Sequence, residues 1–98
     1  MSTYRAFWNN TCIASSDSTI EVEGNQYFPP ESVNSEYLEE SKHESTCYWK
    51  GKANYYHINI DGKLNENAAW QYQDPSEKAQ KIKNYIAFWK GVNISKDD

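Results

Sequence analysis

Two runs of alternating character, residues 53–60 and 63–72, meet at Asp61-Gly62. Asp-Gly between such runs is the strongest local cue for a tight hairpin, because a primed two-residue turn needs positive φ at both central positions. A long antiparallel pair therefore sits in the middle of the chain, and the rest must extend it or pack on it. A two-residue turn sets Ala53 opposite Trp70, Tyr55 opposite Ala68 and His57 opposite Glu66. Side chains alternate along a strand, so Tyr55, His57, Glu66 and Trp70 share one face. Tyr56, Ile58 and Ile60 point the other way and make the better core stripe.

Further hairpin cues flank this pair. Residues 4–8 and 11–15 are separated by Asn9-Asn10, a residue type that tolerates positive φ. Residues 19–23 and 26–28 are separated by Gly24-Asn25, which suits a type II′ turn and puts Ile20, Val22 and Tyr27 on one face. Pro29-Pro30 stops that strand. Residues 34–38 read as one helical turn. Residues 46–49 read as a strand that turns at Lys50-Gly51-Lys52 into the long strand.

One helix is predicted, at about 75–84. Asp74 suits its N-cap, Pro75 its first position and Glu77 the third, and Ala79, Ile82 and Ile86 mark a buried stripe. The apolar run 85–89 reads as a last strand, and residues 95–98 as a frayed tail. The predicted fold is mainly β: a small single domain of antiparallel hairpins with one C-terminal helix, spanning 1–98 with an ordered core at about 4–93.

Ninety-eight residues fit one domain. A chain this size buries roughly 60–70% of its unfolded surface, enough for one core. Mean hydropathy is low, but aromatics make up 15% of the chain, with four Trp and eight Tyr, which separates it from disordered sequences. Net charge is −4 with both signs interspersed, a solubility pattern that speaks against a nucleic-acid partner. Lys78, Lys81 and Lys83 read as a solvated helix face. Two Cys and two His lack the paired spacing of a zinc site, so neither metal nor cofactor is expected. Met1 to Arg5 open no signal stretch, and no run approaches the ~20 apolar residues of a membrane span. The expectation is a cytoplasmic protein, monomer or weak homodimer, with free thiols at Cys12 and Cys47 and chance sequons at Asn9 and Asn93.

At this point several motifs fall in one order. They are Trp8-Asn9, Tyr27-Phe28-Pro29, Thr46-Cys47 with Lys50-Gly51, Tyr55-Tyr56, Asn67-Ala68-Ala69-Trp70 with Tyr72, Pro75, and Ala87-Phe88. From about Tyr4 to Trp89 the chain resembles the domain-of-unknown-function family 427, catalogued in places under a nucleotidyltransferase-like name. The resemblance implies a tent-like β architecture that elsewhere carries zinc; this chain lacks the ligands. Tyr48 stands where the family has Pro, which restores a backbone N–H near Cys47. The resemblance brings no established activity. Nucleotidyl transfer finds little support in the residues themselves. There is no phosphate-binding Gly-rich loop, and Glu39-Glu40, Asp61, Glu66, Asp74 and Glu77 are scattered.

Three functional readings follow. Tyr27, Tyr55, Trp70 and Tyr72 flank the small residues Gly51, Ala53, Ala68 and Ala69, and small beside large leaves concave space. With Cys47 and the cation Lys50 they would form an aromatic-walled pocket for a flat or anionic small molecule, and this reading leads. The alternative is an enzyme. Cys47 would be its nucleophile, with Lys50 three residues on lowering the thiol pKa, or His57 and Glu66 would be an acid/base couple. Cys47 reads equally as a small core residue, and His57/Glu66 as a surface pair. The third class is a protein-interaction domain presenting Trp49 and Trp89.

Overall fold

A computed structural model describes residues 2–97. Nine strands follow one another among the described residues: β1 (Thr3–Trp8), β2 (Thr11–Ser16), β3 (Ile20–Val22), β4 (Asn25–Tyr27), β5 (Leu38–Cys47), β6 (Gly51–Ile60), β7 (Lys63–Gln71), β8 (Ile86–Phe88) and β9 (Asn93–Asp97). Short 3-10 turns lie at Pro30–Ser32, Ser35–Tyr37 and Glu77–Ile82. Asp61 and Gly62 take φ of 51° and 79°, and Asn9 and Asn10 take 51° and 60°, so both of these primed turns form as their sequences dictate.

The second hairpin turns one residue earlier than expected, at Glu23-Gly24, with φ of 54° and 82°. Ile20 therefore pairs with Tyr27 and Val22 with Asn25. Each β3 residue changes partner by two positions, an even number, so Ile20, Val22 and Tyr27 still share a face.

The strands assemble into three antiparallel sheets, ordered β2-β1-β9, β3-β4 and β5-β6-β7-β8. The four-stranded sheet is central, and its two faces bury different things. One face packs on β1 and β2 through Ala6, Ile13, Ala14, Ile58, Ile60, Ala69 and Phe88, with Phe28 between. The other carries Ala53, Tyr55, Trp70, Tyr72 and Ala87. It is covered by Tyr27, Ile20 and Val22 of the β3–β4 hairpin and by Ala79 and Ile82 of the last 3-10 turn. Phe28 and Ile86 exchange backbone bonds at 2.8 and 2.9 Å, mooring β4 to β8.

The predicted helix at 75–84 does not form. Glu77–Ile82 is a six-residue 3-10 segment broken at Ala79, where φ is −114° and ψ is 15°. Its start is committed elsewhere, since Ser76 donates its N–H to Lys50 O at 2.8 Å and its hydroxyl to Trp49 O. No side chain caps it. A segment this short gains too few bonds to offset helix nucleation. Ala79 and Ile82 are buried as read, but i, i+3 spacing serves a three-residue turn as well as an α-helix. Ile86 belongs to β8.

Two strands are longer than expected. β5 begins at Leu38 rather than near Thr46, and Tyr48-Trp49-Lys50 makes the turn into β6. β9 lies where a frayed tail was expected and pairs with β1, Tyr4 opposite Lys96 and Ala6 opposite Ile94; Asp98 lies outside the described residues. Every β9 residue is exposed, so the strand carries no hydrophobic signal. Backbone bonds hold it, with an Arg5–Asp97 ion pair at its end.

The central ladder is interrupted twice beside β6. On β7, Ile58 pairs with Asn65 but Tyr56 with Ala69, leaving residues 66–68 opposite His57. On β5, Glu40 pairs with Tyr56 but Glu44 with Asn54, leaving residues 41–43 opposite Tyr55. Each interruption adds two residues, so side-chain faces are kept beyond it while partners change. The predicted Tyr55–Ala68 and Ala53–Trp70 pairs are thereby replaced: Tyr55 pairs with Trp70 and Asn54 with Gln71.

Candidate functional site

Alternation sends Tyr55 of β6 and Trp70 of β7 to the face away from the aliphatic core, and the interruption on β7 brings them opposite each other. Their rings lie 6.5 Å apart. Trp89, just past β8, closes on both, 5.8 Å from Trp70 edge-on and 6.5 Å from Tyr55. The left-handed backbone of Asn67 (φ 56°) turns its carbonyl to receive the Trp89 indole N–H. The Asn67 side chain accepts from Ser41 of the β5 interruption, so the two irregularities are tied across β6. Ser45 and the Tyr55 hydroxyl are 2.9 Å apart, and the His43 ring sits 4.6 Å from that of Tyr55.

These rings wall a cavity of about 270 Å³ lined by Asn25, Lys50, Tyr55, Trp70, Tyr72 and Trp89. Tyr27 lies behind the wall. It is fully buried, and its hydroxyl accepts from the Trp70 indole at 3.2 Å, fixing that ring. Cys47 is half-buried and packs in the same cluster, opposite Gly51 in the ladder.

Lys50 is only 6% exposed. Its Nζ donates to the Glu23 carboxylate and lies 5.4 Å from the ring centres of both Trp49 and Tyr72. Burial works against the ammonium, but the Glu23 hydrogen bond and neighbouring Tyr27 and Tyr72 outweigh it, and the Lys50 pKa moves up. Burial pushes the Tyr72 phenol up to about 12, with Lys50 opposing. Burial likewise raises Tyr27. The hydrogen bond from Lys50 holds Glu23 below the usual carboxylate range. After Lys50 the chain passes close to residues 74–76: a Cβ on Gly51, whose φ is 110°, would meet the backbone of Asp74, Pro75 and Ser76 at 3.5–3.6 Å.

Of the residues singled out in the sequence, Lys50, Tyr55, Trp70 and Tyr72 line the cavity, with Tyr27 and Cys47 packed beside it. His57 and Glu66 are arranged differently from the predicted couple. His57 lies opposite residues 66–68, and its Nδ1 accepts the Asn67 backbone N–H at 3.0 Å. The Glu66 carbonyl receives Lys90 Nζ at 3.2 Å. Trp49 packs inward, whereas Tyr48 is 98% exposed at the turn.

Asn25, Trp89 and Glu23 were not placed at the pocket by the sequence reading. Trp89 had a usable signal: alternation over 86–89 sets it on the face of Ala87, the partner of Trp70. Glu23 had none, being 27 residues from Lys50. Among the described residues no three or more His, Cys, Asp or Glu gather in a way that could hold a metal ion. No described helix is long and apolar enough to cross a membrane.

Packed antiparallel sheets with an aromatic-walled cavity on the outer face of the central sheet define a small β domain. The chain belongs to the family described as domain of unknown function (DUF427), whose model matches residues 2–98. A comparison with curated proteins finds no match.

Proposed function

We propose that this domain binds a small, flat organic molecule in the cavity between Tyr55, Trp70, Tyr72 and Trp89. The observation that carries this reading is convergence. Six residues, from the start of β4, the β5–β6 turn, β6, β7, the residue just past β7 and the start of the β8–β9 turn, line one concave space of about 270 Å³. Its size lies near the ~300 Å³ lower end of small-molecule sites and suits one or two fused rings. Aromatic walls stack on a flat ligand, and such contacts are worth about 0.5–1.5 kcal/mol per ring pair beyond area burial. Lys50 and Asn25 supply polar groups at the margin, which orient a ligand.

The test is a thermal-melt screen of freshly purified protein against a metabolite library, with native mass spectrometry for a retained ligand. A hit should raise the melting temperature, and Trp70→Ala should weaken it about tenfold or more. No retained mass and no shift across the library would remove the reading.

A further inference from the structure

The Lys50–Glu23 pair is unequally buried. The Lys50 side chain is 7% exposed and the Glu23 side chain 53%. The cation is fixed: its carbonyl accepts Ser76 N–H, and its ammonium is held over two rings at the cavity wall. The anion stands on a two-residue turn of a two-stranded ribbon, in a left-handed conformation. Asn25, two residues on, lines the cavity, yet Glu23 does not. A removable carboxylate thus caps the buried ammonium of a residue that also lines the cavity.

Resting on the ligand-binding reading above, we propose that Glu23 is an internal competitor, and that the ligand is an aromatic or heteroaromatic monocarboxylate whose carboxylate replaces Glu23 on Lys50. Three considerations favour one negative charge on a flat ring. Lys50 is the one charged residue among those lining the cavity, so it matches a single anion. Exchanging one carboxylate for another keeps the buried ammonium paired, whereas leaving it alone would be costly. Glu23 returns to water when released, and an exposed charge in water loses little. A second negative charge would find no partner among the lining residues.

The test uses the intact chain and two probes of equal shape, indole-3-carboxylate and indole-3-carboxamide, titrated by calorimetry. The carboxylate should bind about tenfold or more tighter than the amide, because a charge-assisted bond to Lys50 is available only to the acid. Glu23→Gln should strengthen carboxylate binding several-fold and leave the amide unchanged. Lys50→Met should erase the preference. Because Glu23 is exposed on a turn, its variant keeps the test informative even where Lys50→Met fails to fold. Equal binding of acid and amide, or weaker acid binding by Glu23→Gln, overturns the competitor role and leaves the ligand site standing. Binding of neither probe by wild type or Glu23→Gln overturns this ligand class; the library screen then decides whether the site itself survives.

Discussion

The two faces of the central sheet are built from the same strands yet hold different materials. The inner face buries the apolar side chains Ile58, Ile60, Ala69 and Phe88 against Ala6 and Ile13 of a second sheet and against Phe28, and its polar members Tyr56 and Gln71 bond to each other. The outer face is ringed by Tyr and Trp with polar tips, contains a buried Lys50, and is roofed by a two-stranded ribbon and a broken 3-10 turn. Strand alternation makes this division possible: each side chain belongs to one face only. The lesson is that the aliphatic core and the aromatic cavity wall are sorted by residue parity along β6 to β8. An aliphatic face needs only good packing, whereas buried polar tips must each find a partner. The outer face meets that demand with specific bonds: Trp70 to Tyr27, Tyr55 with Ser45, and Lys50 to Glu23.

The sharpest way to break the comparison is to open the inner face. Ile58→Ala removes a fully buried side chain and should cost about 2–5 kcal/mol in denaturant melts. Trp70→Ala on the outer face should act chiefly on ligand affinity. If the two variants lose stability equally, the division of labour fails. The next effect comes from the join between faces. Asn67 sits at φ 56°, where a β-branched residue is strained, and it positions Trp89. Asn67→Val should cost about 1–3 kcal/mol and change Trp fluorescence as the wall shifts. A silent substitution would mean that the irregularity does not position the wall.

The mildest probe is pH. Tyr72 has its folded pKa raised to about 12 and Lys50 is also raised. Both contributions are complete below the unfolded values of about 10 and 10.4 and disappear as pH climbs through the folded ones. Melting temperature should therefore decline from about pH 10 to 12, less steeply in Tyr72→Phe. Glu23 has the opposite sign, being lowered, so its contribution is present above the unfolded value of about 4.3 and is lost as pH falls through the folded one. An alkaline limb identical in wild type and Tyr72→Phe would place the titration elsewhere.

Local chemistry made the hairpins readable. Asp61-Gly62 and Asn9-Asn10 declare their turns because few residue types accept positive φ, and alternation assigned Tyr55 and Trp70 to a shared face. The edge strands β5 and β9 were hidden for a physical reason: every β9 side chain is exposed, and β5 is polar throughout except for Leu38 and Cys47 at its ends, so neither alternates in hydrophobicity. Ala79 and Ile82 misled because period 3 and period 3.6 agree over one turn. Asn67-Ala68-Ala69 was visible as a motif, but the extra residues beside it were not, since their conformation depends on Ser41 and Trp89 far along the chain. Glu23 and Asn25 joined the site only through the docking of a whole ribbon.

That ribbon has a consequence for motion. An isolated two-stranded hairpin is marginal in water. β3 and β4 therefore borrow their order from the Phe28–Ile86 bridge at one end and the Glu23 contact at the other. Amide hydrogen exchange should grade along it. The Phe28 amide should be as slow as the core, and those of the Glu23-Gly24 tip fast through subglobal opening. The cavity's roof would then breathe without the sheet beneath it unfolding.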